Sequence, residues 1–335
     1  LTLPHTVPPS KGKKVTLNEV FGLDALVLLK RPSFAIFMFS SFLICIPLAF
    51  YYQLAGKFVD AAGLANPAFK MSFGQMSEVV FMLVMPLFFA RLGVKWMLFV
   101  GMFAWVVRYG LFAAAADDGI AWMVLSGILL HGICYDFFFV TGQIYTDKSA
   151  PKEIRGQAQG MLVLFTLGLG MAIGAQCAGY IEPLFTVQGE EKTALDEQAN
   201  AIGGQMQKLQ DELDRLEGRK FVIDDQGNPV TDADGQPQEV NYLVSQWRLM
   251  FPAPATEANA QQARQVGAEL ATLREQRSEV LLQVVDWKTL WAIPAGFAFV
   301  VMIGFAVFFK TDVPEGEVSE GQVADADAKS SLGGP

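Results

Sequence analysis

Three formally charged residues stand inside stretches that otherwise read as lipid-soluble. They are Glu78 in "FGQMSEVVFM", Arg108 in "FAWVVRYGLF" and Asp136 in "LHGICYDFFFVTG". A charge at the centre of a bilayer costs roughly 3 kcal/mol on insertion scales, so such residues usually mark ion pathways or proton relays. Two carboxylates against one guanidinium leave one acid without a formal partner. The cost of burial falls on the ionised form of that acid, which suits it to take up and release a proton. Asp136, Glu78 and Arg108 are therefore the candidate proton-coupling groups. The plainer reading is a fixed ion pair between Arg108 and one acid that only holds helices together.

Neutral polar groups extend the constellation. Gln75 and Glu78 are three apart, hence on one helix face, and an amide beside a carboxylate suits a ligand with several hydroxyl or amide groups. Gln53, in "FYYQLAG", falls near the outer end of its span. Tyr51, Tyr52, Tyr135 and Phe137 to Phe139 offer flat surfaces for a ring, although helix packing accounts for most of them; Tyr135 adjoins Asp136 and is the strongest of the group. His131 shares the Tyr135 face but lies about 140° around the helix from Asp136, which argues against a direct relay and for a hydrogen-bonded structural histidine. Gln143, seven residues beyond Asp136, is expected on the Asp136 face.

The elements that position these residues follow from hydropathy. The chain has 335 residues, 52% of them hydrophobic, concentrated at 34–54, 72–90, 96–116, 120–142, 160–181 and 290–309. Each stretch of about 20 residues spans a ~30 Å hydrocarbon core at ~1.5 Å per residue. The expected fold class is an all-α integral membrane protein with six transmembrane helices, and Glu78, Arg108 and Asp136 fall within roughly 8 Å of the midplane. Solutes and coupling ions bind at that depth in secondary transporters. Gly170 and Gly174 form a G-x-x-x-G that allows close helix approach. Cys45, Cys134 and Cys177 all sit in apolar spans, with neither metal nor disulfide spacing.

Lys and Arg in the short connections orient the spans. Lys30, Arg31, Arg91, Lys95, Lys148, Lys152, Arg155 and Lys310 gather on one side, taken as cytoplasmic, with both ends of the chain. The other side receives an insertion at 183–287 that carries 9 Lys and Arg against 18 Asp and Glu, the whole net charge of −9. Ile202, Met206, Leu209, Leu213 and Leu216 form one a/d seam; Val266, Leu270, Leu273, Arg277, Val280 and Val284 form another, and the two predict an antiparallel hairpin. The segment between them reads as short strands or loop, and its "DADGQ" lacks the spacing of a calcium site. The expected organisation is a cytoplasmic linker at 1–33, five spans in 34–182, the extracytoplasmic insertion at 183–287, the sixth span at 288–310 and a disordered acidic tail at 311–335. An opening without Met, in a Pro- and Lys-containing segment with no signal peptide, is expected to follow further chain.

The stretches "GQMSEVVFMLVMPLFFARLGVKWMLFVGMFAWVVRYGLFA", "LHGICYDFFFVTGQIYTDKSAPKEIRGQAQG" and "DWKTLWAIPAGFAF" resemble the C-terminal six-helix half of the nucleoside:proton symporter family, within the major facilitator superfamily. The opening resembles that family's central linker. The resemblance implies six more helices upstream, an inner-membrane location, and alternating-access uptake of a nucleoside-like solute with protons. It implies substrate contacts from Gln53, Gln75 and Glu78, with Asp136 in substrate or proton coupling and Tyr135 near base or ribose. Relatives often carry Asn three residues after the position of Gln53, where this chain has Gly56. The 183–287 insertion also departs from the compact family pattern.

Other classes fare worse. An intramembrane enzyme needs a nucleophile, acid pair or metal motif, and neither H-E-x-x-H nor G-x-S-x-G occurs in a chain with two histidines. No basic nucleic-acid footprint is present, and no cofactor is expected. The remaining alternative is a membrane-anchored interaction protein whose acidic 183–287 domain binds a protein partner.

Overall fold

The computed structural model describes residues 22–218 and 259–311, with a few isolated positions between 222 and 244. Most of the linker, the candidate strands and "DADGQ" turn, and the tail lie outside the described residues. In hydrocarbon every backbone polar group must be satisfied within the segment, and the long apolar stretches accordingly fold as helices. After a short 3-10 helix at Leu23–Lys30, α1 covers Pro32–Ala61, α2 Pro67–Ala115, α3 Ala121–Ser149 and α4 Lys152–Phe185. Helices α5 (Gly189–Leu216) and α6 (Ala260–Val284) follow, and α7 covers Trp287–Phe308. Helices α1 to α4 and α7 are long and apolar enough to cross a membrane. Pro32 and Pro67 occupy the first turns of α1 and α2, where the missing N–H is no loss.

Helix α2 has 49 residues, about 74 Å if straight and more than twice the hydrocarbon thickness. It is broken at Gly93, whose φ of 64° and ψ of 179° favour glycine. The chain reverses there. Glu78 on the first arm and Arg108 on the second both bond the one imidazole of His131, which is impossible for residues ~45 Å apart on a straight helix. With 67–92 and 94–115 as separate arms, the described residues contain six apolar helical segments.

Polar contacts sort to two ends. At one end Arg31 donates to the Ser149 carbonyl, Arg155 pairs with Asp147 and Lys95 reaches the Ala306 carbonyl. At the other end Lys57 pairs with Glu182, and Lys288 with Asp117. Between them lies an apolar core in which Trp291 stacks on Tyr109 and meets Phe58 and Phe112. Helix α4 closes on α1 through glycine: a Cβ on Gly174 would stand 2.5 Å from the Ile46 carbonyl oxygen, and one on Gly170 would stand 2.8 Å from Cys45 Cβ.

Helices α5 and α6 pack antiparallel through Leu213, Leu216, Ala263, Val266 and Leu270, with Asn259 donating to the Leu216 carbonyl at the turn end. Their roots are joined by an antiparallel bridge between Thr186 and Val285. Arg277 passes beside Gly203 of α5 and carries its guanidinium beyond the seam. Both of its Nη atoms bond the Asp60 carboxylate at 3.0 Å, while Ser278 donates to the Ala61 carbonyl at 2.6 Å. The hairpin is thereby fastened to the end of α1 as well as to α4 and α7.

The glycine contact gives a direct check. Gly174→Ala pushes a methyl group into backbone and is expected to cost about 1–3 kcal/mol, read as a lower unfolding temperature in detergent. Gly179→Ala, where a Cβ meets nothing within 4 Å, is expected to leave it unchanged. Equal behaviour of the two variants would show that α1 and α4 do not meet at this point.

Candidate functional site

The site begins with a close helix crossing. Gly132 of α3 lies against Ser77 of the first α2 arm, where a Cβ would approach the Ser77 carbonyl at 2.6 Å. The Gly132 N–H donates to Ser77 Oγ at 2.9 Å, and that hydroxyl donates to the Gly74 carbonyl at 2.6 Å. This crossing sets His131 beside the neighbouring Glu78.

His131 is buried, and its ring bridges two charges. Nε2 stands 2.7 Å from Glu78 Oε1, and Nδ1 stands 3.0 Å from Arg108 Nη1. A guanidinium only donates, so Nδ1 accepts and the ring proton sits on Nε2, directed at the carboxylate. Arg108 is fully buried on the second α2 arm. Its Cζ lies 3.3 Å from the centroid of the Tyr51 ring, a cation–π contact from α1. Tyr51 stacks in turn on His131 at 5.6 Å. The order Glu78–His131–Arg108–Tyr51 thus runs across α2, α3 and α1.

The other expected residues divide. Tyr135 is half-buried and stacks on His131 at 6.2 Å and against Phe139 at 5.1 Å. Gln75 is exposed one turn from Glu78, whose side chain is 22% exposed. Gln53 is exposed and donates to the Ala175 carbonyl of α4 at 3.3 Å. Asp136 is fully buried, and neither carboxylate oxygen has a hydrogen-bond partner among the described residues.

Two sequence readings change. The alternative of a direct pair between Arg108 and an acid is replaced by contact through an imidazole, while His131 is, as expected, a buried hydrogen-bonded histidine with no hydrogen bond to Asp136. Its partners, Glu78 and Arg108, lie on the two arms of α2. Gln143 is exposed while Asp136 is buried. The turn Asp136–Val140 is π-helical, and the wider turn spoils the seven-residue register that puts Gln143 on the Asp136 face; such turns recur at functional sites.

A cavity of about 950 Å³ lies elsewhere, between α6 and the loops at 62–65 and 116–119, lined by Asp117, Asp118, Arg274, Glu275 and Lys288 among others. It is a polar cleft at the hairpin root, away from the charged line. The charged line instead borders the face that carries the exposed Gln75, Met76, Val79 and Val80.

Six apolar segments with charges bridged across their middle define an all-α membrane transporter fold. Two crystal structures of the nucleoside transporter NupG share it, one of them of a mutant, with TM-scores of 0.54 and 0.56 at 20% identity. Each match covers 92% of this chain and 56% of the other. The chain belongs to the nucleoside H+ symporter family, whose model matches residues 1–198. In Escherichia coli (strain K12), YegT is 42% identical over 189 residues, 56% of this chain and 44% of YegT. The xanthosine permease is 31% identical over 201 residues and the nucleoside permease NupG 30% over 202, each match covering 56% of this chain and 48% of the relative. The chain spans about half the length of the curated relatives it matches.

The bridged geometry predicts strong coupling between its ends. Arg108→Met leaves a buried polar line without its cation and is expected to cost about 3–5 kcal/mol. Adding Glu78→Gln to Arg108→Met should recover part of that loss, because the uncompensated carboxylate is then gone. Thermal unfolding of the two single variants and the double variant reads this directly. Additive losses would mean that Glu78 and Arg108 are not linked.

Proposed function

We propose that this chain forms half of a proton-coupled carrier for nucleosides or similar small polar solutes, working by alternating access in the inner membrane. The observation that carries the reading is the excess of carboxylate over guanidinium at mid-span: Glu78 and Asp136 against Arg108. Gln53, Gln75, Glu78 and Tyr135 are the proposed substrate contacts. Asp136, with Glu78 and Arg108, is the proposed proton-coupling group. The names of the relatives support the solute class, and the half of each relative that this chain leaves unmatched supports a second set of six helices facing the open side of the site. The gathering of Lys30, Arg31, Lys95, Lys148, Lys152 and Arg155 in the short connections at one end supports a cytoplasmic location for the linker and tail and an extracytoplasmic one for the 183–287 domain. The acidic surface of that domain also makes it the proposed place for any protein partner.

Uptake of radiolabelled uridine and adenosine by the full-length transporter in vesicles, with and without an inward proton gradient, tests the reading. Gradient-driven accumulation is expected in the wild type, and Asp136→Asn should abolish it while leaving solute exchange at equal pH. No transport of either nucleoside by folded wild type would overturn the solute class. Gly56 adds a second test, since a side chain there meets nothing within 4 Å. Gly56→Asn supplies an amide worth about 0.5–1.5 kcal/mol and should lower KM for uridine about two- to tenfold.

A further inference from the structure

We propose that His131 is a positioning residue for the ligand: as the neutral Nε2–H tautomer it carries the pull of Arg108 to Glu78 and holds that carboxylate toward the open face. The bridge stands on geometry, and its use in ligand binding rests on the transport reading above.

Among the described residues, Arg108 has no carboxylate at hydrogen-bond distance. Its Nη1 contact is the Nδ1 lone pair of His131, and the guanidinium plane is occupied by Tyr51. A cation donating to one ring nitrogen polarises the imidazole and makes the opposite N–H a stronger donor, as in other chained hydrogen bonds. That N–H meets Glu78 Oε1 at 2.7 Å. The ring cannot turn away: Tyr51 and Tyr135 stack on it, and Gly74 lies under its Cβ, where an added methyl would stand at 3.2 Å. A partly exposed carboxylate held by one oxygen and offering acceptors only selects ligands that bring donors, such as hydroxyl or amide N–H groups. Gln75, one turn away on the same arm, supplies both a donor and acceptor beside it.

Two substitutions separate the bridge from simple filling of space. In His131→Gln the amide can still accept from Arg108 and donate to Glu78, but the aromatic stack is lost. In His131→Phe the stack is kept, but both hydrogen bonds are lost. For uridine exchange at equal pH by the full-length transporter, the bridge predicts KM within about threefold of wild type for His131→Gln. A hydrogen bond to a charged group is worth enough that KM should rise about tenfold or more for His131→Phe. The reverse order would overturn the proposal in favour of packing. A second readout needs no substrate. In a ¹⁵N-histidine spectrum of the full-length transporter in nanodiscs, the His131 signals are identified as those lost in His131→Gln. A protonated Nε2 and bare Nδ1 are expected, and the Nε2 signal should move in Glu78→Gln. The opposite tautomer would overturn the bridge. Wild type that moves no uridine but shows the expected spectrum would refute the solute class and leave the bridge standing.

Discussion

A guanidinium taken out of water carries an effective penalty of several kcal/mol, and Arg108 is buried without exposure in the middle of this molecule. Much of the interior arrangement gathers around it, although its Nε and Nη2 find no hydrogen-bond partner among the described residues. One side of the group is covered by Tyr51 of α1, and one nitrogen is taken by His131 of α3, which in turn reaches Glu78 on the other arm of α2. Four helical segments are thereby held at one level. The reversal at Gly93 and the glycine contact at Gly132 are what bring them there, since neither is compatible with a Cβ at ordinary cost.

The membrane segments were readable in the sequence because hydrocarbon thickness sets their length, and nothing outside the segment has to be known. The three intramembrane charges were readable for the same reason: against an apolar background a single carboxylate is conspicuous. The links between them were not. Glu78, Arg108 and His131 lie on different segments, and no periodicity within one helix reports a contact made across three. The seven-residue spacing of Gln143 from Asp136 predicts a shared face only for a regular helix, and the backbone widens at Asp136–Val140. Apolar spacing alone gives no warning of a π turn.

Arg277 illustrates the same limit in the α5–α6 hairpin. Its place in the heptad pattern marks it as an interruption of an apolar seam, and the seam alone supplies no reason for it. The reason lies 217 residues earlier in the chain, at Asp60. A polar residue at a core position of a helical pair is thus best read as a pointer to a third element. Here that element is the end of α1, and the contact joins the insertion to the membrane body.

That attachment has a mechanical consequence. Helix α6 has 25 residues, about 38 Å of stiff rod. It is anchored near its root at Asp60 and continues into α7 through Val285 and Asp286 alone. A rod clamped at two helices of one body cannot swivel freely on that body. It behaves as the needle of a gauge, and a tilt of about 10° at the root displaces its far end by roughly 7 Å over that length. A small reorientation of α1 and α7 is thus enlarged at the far end of the hairpin, at a distance where a probe can sit without touching the apolar segments.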